Sequence, residues 1–274
     1  MNNKTRLSPE FTAKFLLEDL GLTRIEDLQY LEEIAWRRGA TVRYRRLDGS
    51  EARLSVVGRK GIITISDSIL NPHRIRFSIV HELGHLEMHN NNGSFAICIS
   101  ADLDILETQK SSRNVEWEAN QFASAFLMPE SFFRPMCDSD DPSLDFISQL
   151  AHHFNVSLTA AALRYIRFCH DDCAIVYSRG KRVEWFAASQ SFKENRVFIE
   201  TKVKLNPFTQ AARRTRGSNI SKQERVYASL WFGPGRYDEE ALIWEQSWYL
   251  KSYDSILTLL WIEDDIFDEE DWLF

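Results

Sequence analysis

Residues 78–89 read SIVHELGHLEMH, and this stretch limits the fold more than any other in the chain. Ile75, Ile79, Val80, Leu83 and Leu86 recur at helical spacing, so the segment forms a helix with one buried face. His81 and His85 stand one turn apart on it, so both imidazoles can reach a single metal ion. Glu82 falls beside such an ion rather than on it, where its carboxylate can take a proton from a water that the metal activates. A chain built on this helix needs a second element that closes over the histidines. A motif this short also arises by chance, so the rest of the sequence has to supply that element.

A catalytic zinc takes three protein ligands and keeps a fourth position open. Met88 and Asn91 occupy the places where a longer histidine motif would carry Gly and a third His, so the third ligand comes from elsewhere. The downstream candidates are Glu87, Glu107, Glu116 and Glu118. Glu87 is two residues past His85 and faces another way, and Glu107 lies in a loop-like stretch. In EWEAN (116–120), Glu116 is preferred and Glu118 stays the alternative. Asn120 lies one turn from Glu116, and Ala119, Ala123 and Leu127 continue a face of mostly small residues that permits close approach. Asn120 is then placed to hydrogen-bond the outer nitrogen of a ligating histidine. Gly84, inside a helix where it costs about 1 kcal/mol relative to Ala, points to close packing against that ligand helix. His89 reads most simply as a helix C-terminal histidine facing the last carbonyls, with cleft lining as the other reading. His152 and His153 read as surface or packing residues.

Around this centre the chain reads as α+β. Two short helices are expected first, over PEFTAKFLLEDL and IEDLQYLEEIAWRR, closed by Gly21 and Gly39. Strands follow over 41–47, 52–57 and 62–66, then the histidine helix, entered at Asn71–Pro72. The segment NNNGS (90–94) opens a long connection to about Arg113, and helices are expected at 115–128, 144–154 and 158–168. Past Cys169 the pattern turns to β, with six of the eight tryptophans in this part. The division expected is a peptidase-like domain over 1–135, a helical segment over 136–170 and a β-rich domain over 171–274.

Charge and cysteine content narrow the class of partner. A net charge of −7 disfavours a broad nucleic-acid face, although 212–225 is locally basic and 263–271 strongly acidic; both read as solvated segments. No apolar run approaches a membrane span, and MNNKTRLSPEF lacks an apolar signal core, which together lead to a cytoplasmic expectation. Four cysteines without paired zinc-ribbon spacing suit a reducing compartment. CHDDC (169–173) offers two thiolates and His170 but no second ligand pair, and reads as ordinary loop.

RFSIVHELGHLEMH followed by EWEANQFASAFLMPESFF resembles the ImmA/IrrE-type metallopeptidases over residues from about 10 to 168. The resemblance implies a minimal thermolysin-like (zincin-type) peptidase fold with His81, His85 and Glu116 on Zn²⁺ and Glu82 as general base. It also implies a protein substrate, a helix-turn-helix repressor whose cleavage relieves repression in a stress or mobile-element response. QLAHHFNVSLTAAALRY (149–165) is similar to the family's helix-turn-helix-like segment. Its surface is expected to offer only Arg164 and Arg167 as cations, which favours packing or substrate docking over DNA reading. The C-terminal additions of the family vary, some being sensor-like, so a sensing or partner-binding role is open for 171–274. An edge strand at Ile62–Ser66 is expected to hold an extended substrate. The rival reading is a regulator that binds a repressor or toxin partner without cutting it.

Overall fold

The structure is a computed structural model that describes residues 7–57, 60–89, 96–98, 115–138, 140–195, 197–214, 220–233, 237–238, 240–263 and 266. The connection from residue 90 to 114 (apart from 96–98) with Glu107, the centre of the basic stretch and most of the acidic tail lie outside the described residues. The chain divides into two compact units, one of residues up to Phe133 with Phe154–Ser157, the other of Arg134–His153 and Leu158–Phe274.

In the first unit, Ser8 caps helix α1 (Pro9–Asp19) by accepting from the Phe11 amide, and Ala13, Leu16 and Leu17 are buried beneath it. The next helical stretch, expected as one piece, is broken. Asp27 turns its carboxylate back onto the amides of Thr23 and Arg24, tightening Ile25–Gln29 into a 3₁₀ turn. The chain restarts after Tyr30 as α2 (Leu31–Arg37), which lets Leu28, Leu31, Ile34 and Ala35 all reach the core. Gly39, at φ +80°, makes the left-handed exit into the sheet.

That sheet has strands β1 (Ala40–Arg45), β2 (Ala52–Val57), β3 (Lys60–Ser66) and β4 (Ala96–Cys98) in the order β1-β3-β2-β4. β3 runs parallel to β1 and antiparallel to β2. It is therefore central, with both rows of backbone groups already paired, and Ile62–Ser66 is not an edge. The apolar run that suggested a strand reflects burial in the middle of a sheet, not availability at its rim: Ile63 and Ile65 are fully buried. The edges are β1 and β4. Gly61 lets Leu86 of the histidine helix approach the sheet, since a Cβ there would lie 3.4 Å from the Leu86 side chain and 3.2 Å from Ala40.

The second unit holds α6 (Leu144–Phe154, through His153) and α7 (Leu158–Phe168), following α5 (Glu130–Cys137). Its antiparallel five-stranded sheet has the order β6-β5-β9-β8-β7, with β5 at Asp172–Arg179, β6 at Arg182–Ala188, β7 at Glu224–Tyr227, β8 at Leu242–Leu250 and β9 at Ser255–Ile262. Within the β-patterned part past Cys169, the run 225–232 pairs only to Tyr227 and then coils into a 3₁₀ turn over Ala228–Leu230. Helix α7 packs on β5 and β6. A cluster that includes Val176, Phe192, Trp231, Phe232, Ile243 and Leu260 joins the sheet to two short helices, α8 (Gln190–Glu194) and α9 (Gln210–Arg213). Arg164, expected at the surface, is 2% exposed, its guanidinium lying 4.6 Å from the centre of the Phe168 ring. Arg167 is the exposed cation of that pair.

Candidate metal centre

Two helices of the first unit build the site. Helix α3 (Pro72–His89) starts where the Asn71 side chain accepts from the amides of His73 and Arg74, and Pro72 takes the first helical position. Helix α4 (Val115–Leu127) lies against it. The close approach depends on Gly84: a Cβ there would stand 2.8 Å from the Phe122 ring, inside contact distance. Ala119 and Ala123 on α4 are fully buried. Glu87 is held elsewhere, in a two-pronged pair with Arg38 at 2.8 and 2.9 Å, and Arg38 also reaches Asp19.

His81, His85 and Glu116 come together, their ligand atoms all within 4.8 Å of one another. The Nε2 atoms of His81 and His85 are 3.1 Å apart. Glu116 places Oε2 at 3.2 Å from His81 Nε2 and Oε1 at 3.3 Å from His85 Nε2. Ligands at 2.0–2.1 Å around a tetrahedral zinc are separated from one another by about 3.3 Å, so this triangle of side chains, in which Glu116 offers a different oxygen to each ring, has edges close to those of such a site.

The outer nitrogens decide what the inner ones carry. Asn120 Oδ1 sits 2.8 Å from His81 Nδ1, and an amide oxygen only accepts, so His81 donates from Nδ1 and keeps its Nε2 lone pair inward. His85 Nδ1 is 3.0 Å from His89 Nδ1, and His89 Nε2 is 2.8 Å from Glu118 Oε2. A carboxylate oxygen only accepts, so the neutral chain again leaves a lone pair at His85 Nε2. Two lone pairs and a carboxylate then converge on one point with no proton between them, an arrangement that calls for a cation. The residues fit a metal ion.

Burial is unequal across the centre. His81, Glu82 and His85 are buried, at 3, 0 and 2% exposure, whereas the Glu116 side chain is 40% exposed, so the centre opens to solvent on that side. Partial burial raises the proton affinity of Glu116; a proton entering between the groups would sit on His81 or His85, whose hydrogen bonds and charge then hold the Glu116 carboxyl well below the usual range. The two imidazoles meet edge to face, with centroids 4.8 Å apart and planes at 74°.

The residues singled out from the sequence thus lie as follows. His81, His85 and Glu116 share one point, Asn120 abuts the outer nitrogen of His81, and Glu82 is buried on the same helix. CHDDC contributes no comparable group among the described residues: Cys169 and Cys173 are buried thiols and His170 lies near Asp138, at 3.9 Å. The pair His89–Glu118 does not follow from the sequence reading. Glu118, the alternative ligand, reaches the last turn of α3 with its side chain, where it meets His89 instead of leaving it to the helix carbonyls. The repeat of histidine every fourth residue, 81, 85 and 89, is the available signal, since it continues the ligand stripe by one turn.

Residues 35–165 match the family described as the IrrE N-terminal-like domain, Peptidase_M78. No curated protein matches the chain. A solved Mycobacterium tuberculosis transcriptional regulator has a similar fold, with a TM-score of 0.54 at 15% identity over 92% of this chain and 86% of that one.

Proposed function

We propose, from a chain whose residues 35–165 match the IrrE N-terminal-like (Peptidase_M78) family, that it is a cytoplasmic zinc-dependent endopeptidase cutting a protein substrate. The observation that carries the reading is the convergence of His81 Nε2, His85 Nε2 and the Glu116 carboxylate, with contacts of 3.1–3.3 Å, beside the buried Glu82. The substrate in this reading is a helix-turn-helix repressor, whose cleavage relieves repression in a stress or mobile-element response.

His81, His85 and Glu116 would hold the ion. A bound zinc supplies a Lewis acid that polarises the scissile carbonyl and makes a nearby water more acidic. Glu82 accepts the proton of the attacking water and returns it to the amide nitrogen as the peptide bond breaks. Sheltered from bulk solvent, its carboxylate exchanges that proton with the reacting groups. Asn120 keeps the His81 ring oriented. An extended substrate needs unpaired backbone groups, which in this sheet means an edge, β1 or β4.

The test compares wild type with Glu82→Gln, which keeps the shape and removes the base. Zinc content is expected to stay at wild-type level while substrate cleavage falls about 10²–10⁴-fold, the usual share of general acid–base catalysis. If both proteins relieve repression equally and no substrate fragments appear, the chain acts by binding and the peptidase reading is wrong.

A further inference from the structure

We propose that His89 and Glu118 are positioning residues of the metal centre, fixing His85 in the tautomer whose Nε2 lone pair faces His81 and Glu116. This rests on the metal-binding reading above but concerns residues that reading does not use. The proton order is set from the outside inward. Glu118 Oε2 lies 2.8 Å from His89 Nε2 and can only accept, so His89 carries its proton on Nε2. A neutral His89 then offers a lone pair at Nδ1, 3.0 Å from His85 Nδ1. His85 must donate there, and its remaining lone pair, on Nε2, points to the atoms 3.1 and 3.3 Å away in the triangle. Each link leaves the next ring nitrogen one role.

The two ligating rings are therefore supported differently. For His81, the carbonyl oxygen of Asn120 sets the tautomer in one step. For His85, the same result takes a second imidazole and a carboxylate. The relay is well sheltered, with side-chain exposure of 2% at His85, 11% at His89 and 21% at Glu118. In such surroundings a hydrogen bond holds its geometry against competing water. A plain contact between His89 and Glu118 that only ties the two helices together would not need the proton order that these partners enforce. Outer partners of metal-binding histidines typically change affinity by about 10–100-fold when removed.

The experiment uses the full chain and two readouts. In the metal-free protein, at about pH 8.5, long-range ¹H–¹⁵N spectra of histidine-labelled protein report the tautomer of His85. Zinc affinity is measured by competition with a chromophoric chelator. Wild type is expected to show His85 protonated on Nδ1. His89→Phe keeps a ring but no acceptor, and is expected to show mixed tautomers and zinc binding weaker by about 10–100-fold. Glu118→Leu is expected to do the same more mildly, whereas Glu118→Gln, whose amide oxygen still accepts, retains most of the wild-type behaviour. If His89→Phe does not fold, the contrast between Glu118→Leu and Glu118→Gln decides. An unchanged His85 tautomer, with zinc affinity within about twofold of wild type in the folded variants that lack the acceptor, overturns the proposal. If wild type itself binds no zinc, the metal reading fails, and the tautomer in the metal-free protein still decides this inference.

Discussion

Asn120 in the first unit and Gln246 in the second are both buried amides, at 5 and 2% exposure, yet they serve different clients. Asn120 spends its oxygen on a side chain, the outer nitrogen of His81. Gln246 spends its groups mainly on the backbone: its oxygen accepts from the Leu144 amide at 2.6 Å, and its nitrogen reaches the Ser221 carbonyl and the Asp145 carboxylate. The same contrast holds for their neighbours. In the first unit His81, His85 and Glu116 turn lone pairs toward one another, while on β8 Glu245 accepts from the Ala211 amide and Ser247 meets Thr258. Buried polarity alone does not mark a functional site. Groups that satisfy the chain hold it together; groups whose lone pairs converge on one point can hold a cation.

The sharpest way to break this contrast is to remove each amide and read both stability and metal binding. Asn120→Ala is expected to weaken zinc affinity by about 10–100-fold. Gln246→Ala is expected to leave zinc affinity at the wild-type level and to cost stability instead, about 1–3 kcal/mol, because the buried Leu144 amide that begins α6 loses its acceptor. Calorimetric zinc titration and urea unfolding of both variants give the four numbers. Were Asn120→Ala to bind zinc as tightly as wild type, the amide would belong with Gln246 as a structural staple.

Legibility differs between the two regions for the same reason. The site can be read because its chemistry lies on two helices, where a fixed 3.6-residue turn converts spacing into direction. His81, His85, Glu116 and Asn120 follow that rule directly, and Gly84 announces the contact with α4 that the Phe122 ring occupies. His89 and Glu118 escape because the rule describes one helix at a time, and their meeting depends on how α3 crosses α4. Strand existence is legible from period-two patterns, but strand position in a sheet is not. Ile62–Ser66 reads apolar whether it lies at the rim or in the middle, and only pairing with β1 and β2 distinguishes them. Arg164 shows the same gap from the other side: a cation in sequence says nothing of the Phe168 ring that lets it be buried.

The smallest effect tests whether a buried acid of the second unit is structural. Glu245 is fully buried on β8, where burial raises its proton affinity and the amides of Gln210 and Ala211 only partly offset this. The folded unit therefore holds the proton more tightly than the unfolded chain does. Its contribution to stability is full below the unfolded value, about 4.3, and is lost as pH rises through the higher folded value. Glu245→Gln has no proton to release, so its stability should lose this dependence while the amide oxygen still accepts from Ala211. Urea midpoints between about pH 4 and 8, followed by tryptophan fluorescence, report this unit well, since six of the eight tryptophans lie past Cys169. The gap between the two curves should open with rising pH and then level off, on the order of 1 kcal/mol, while the variant's zinc affinity matches that of wild type at each pH. Parallel curves would mean that folding leaves the proton affinity of Glu245 unchanged, and that β8 tolerates its charge as readily as water does. The division between polar groups that serve the chain and polar groups that form a site would then fail on the β-rich side.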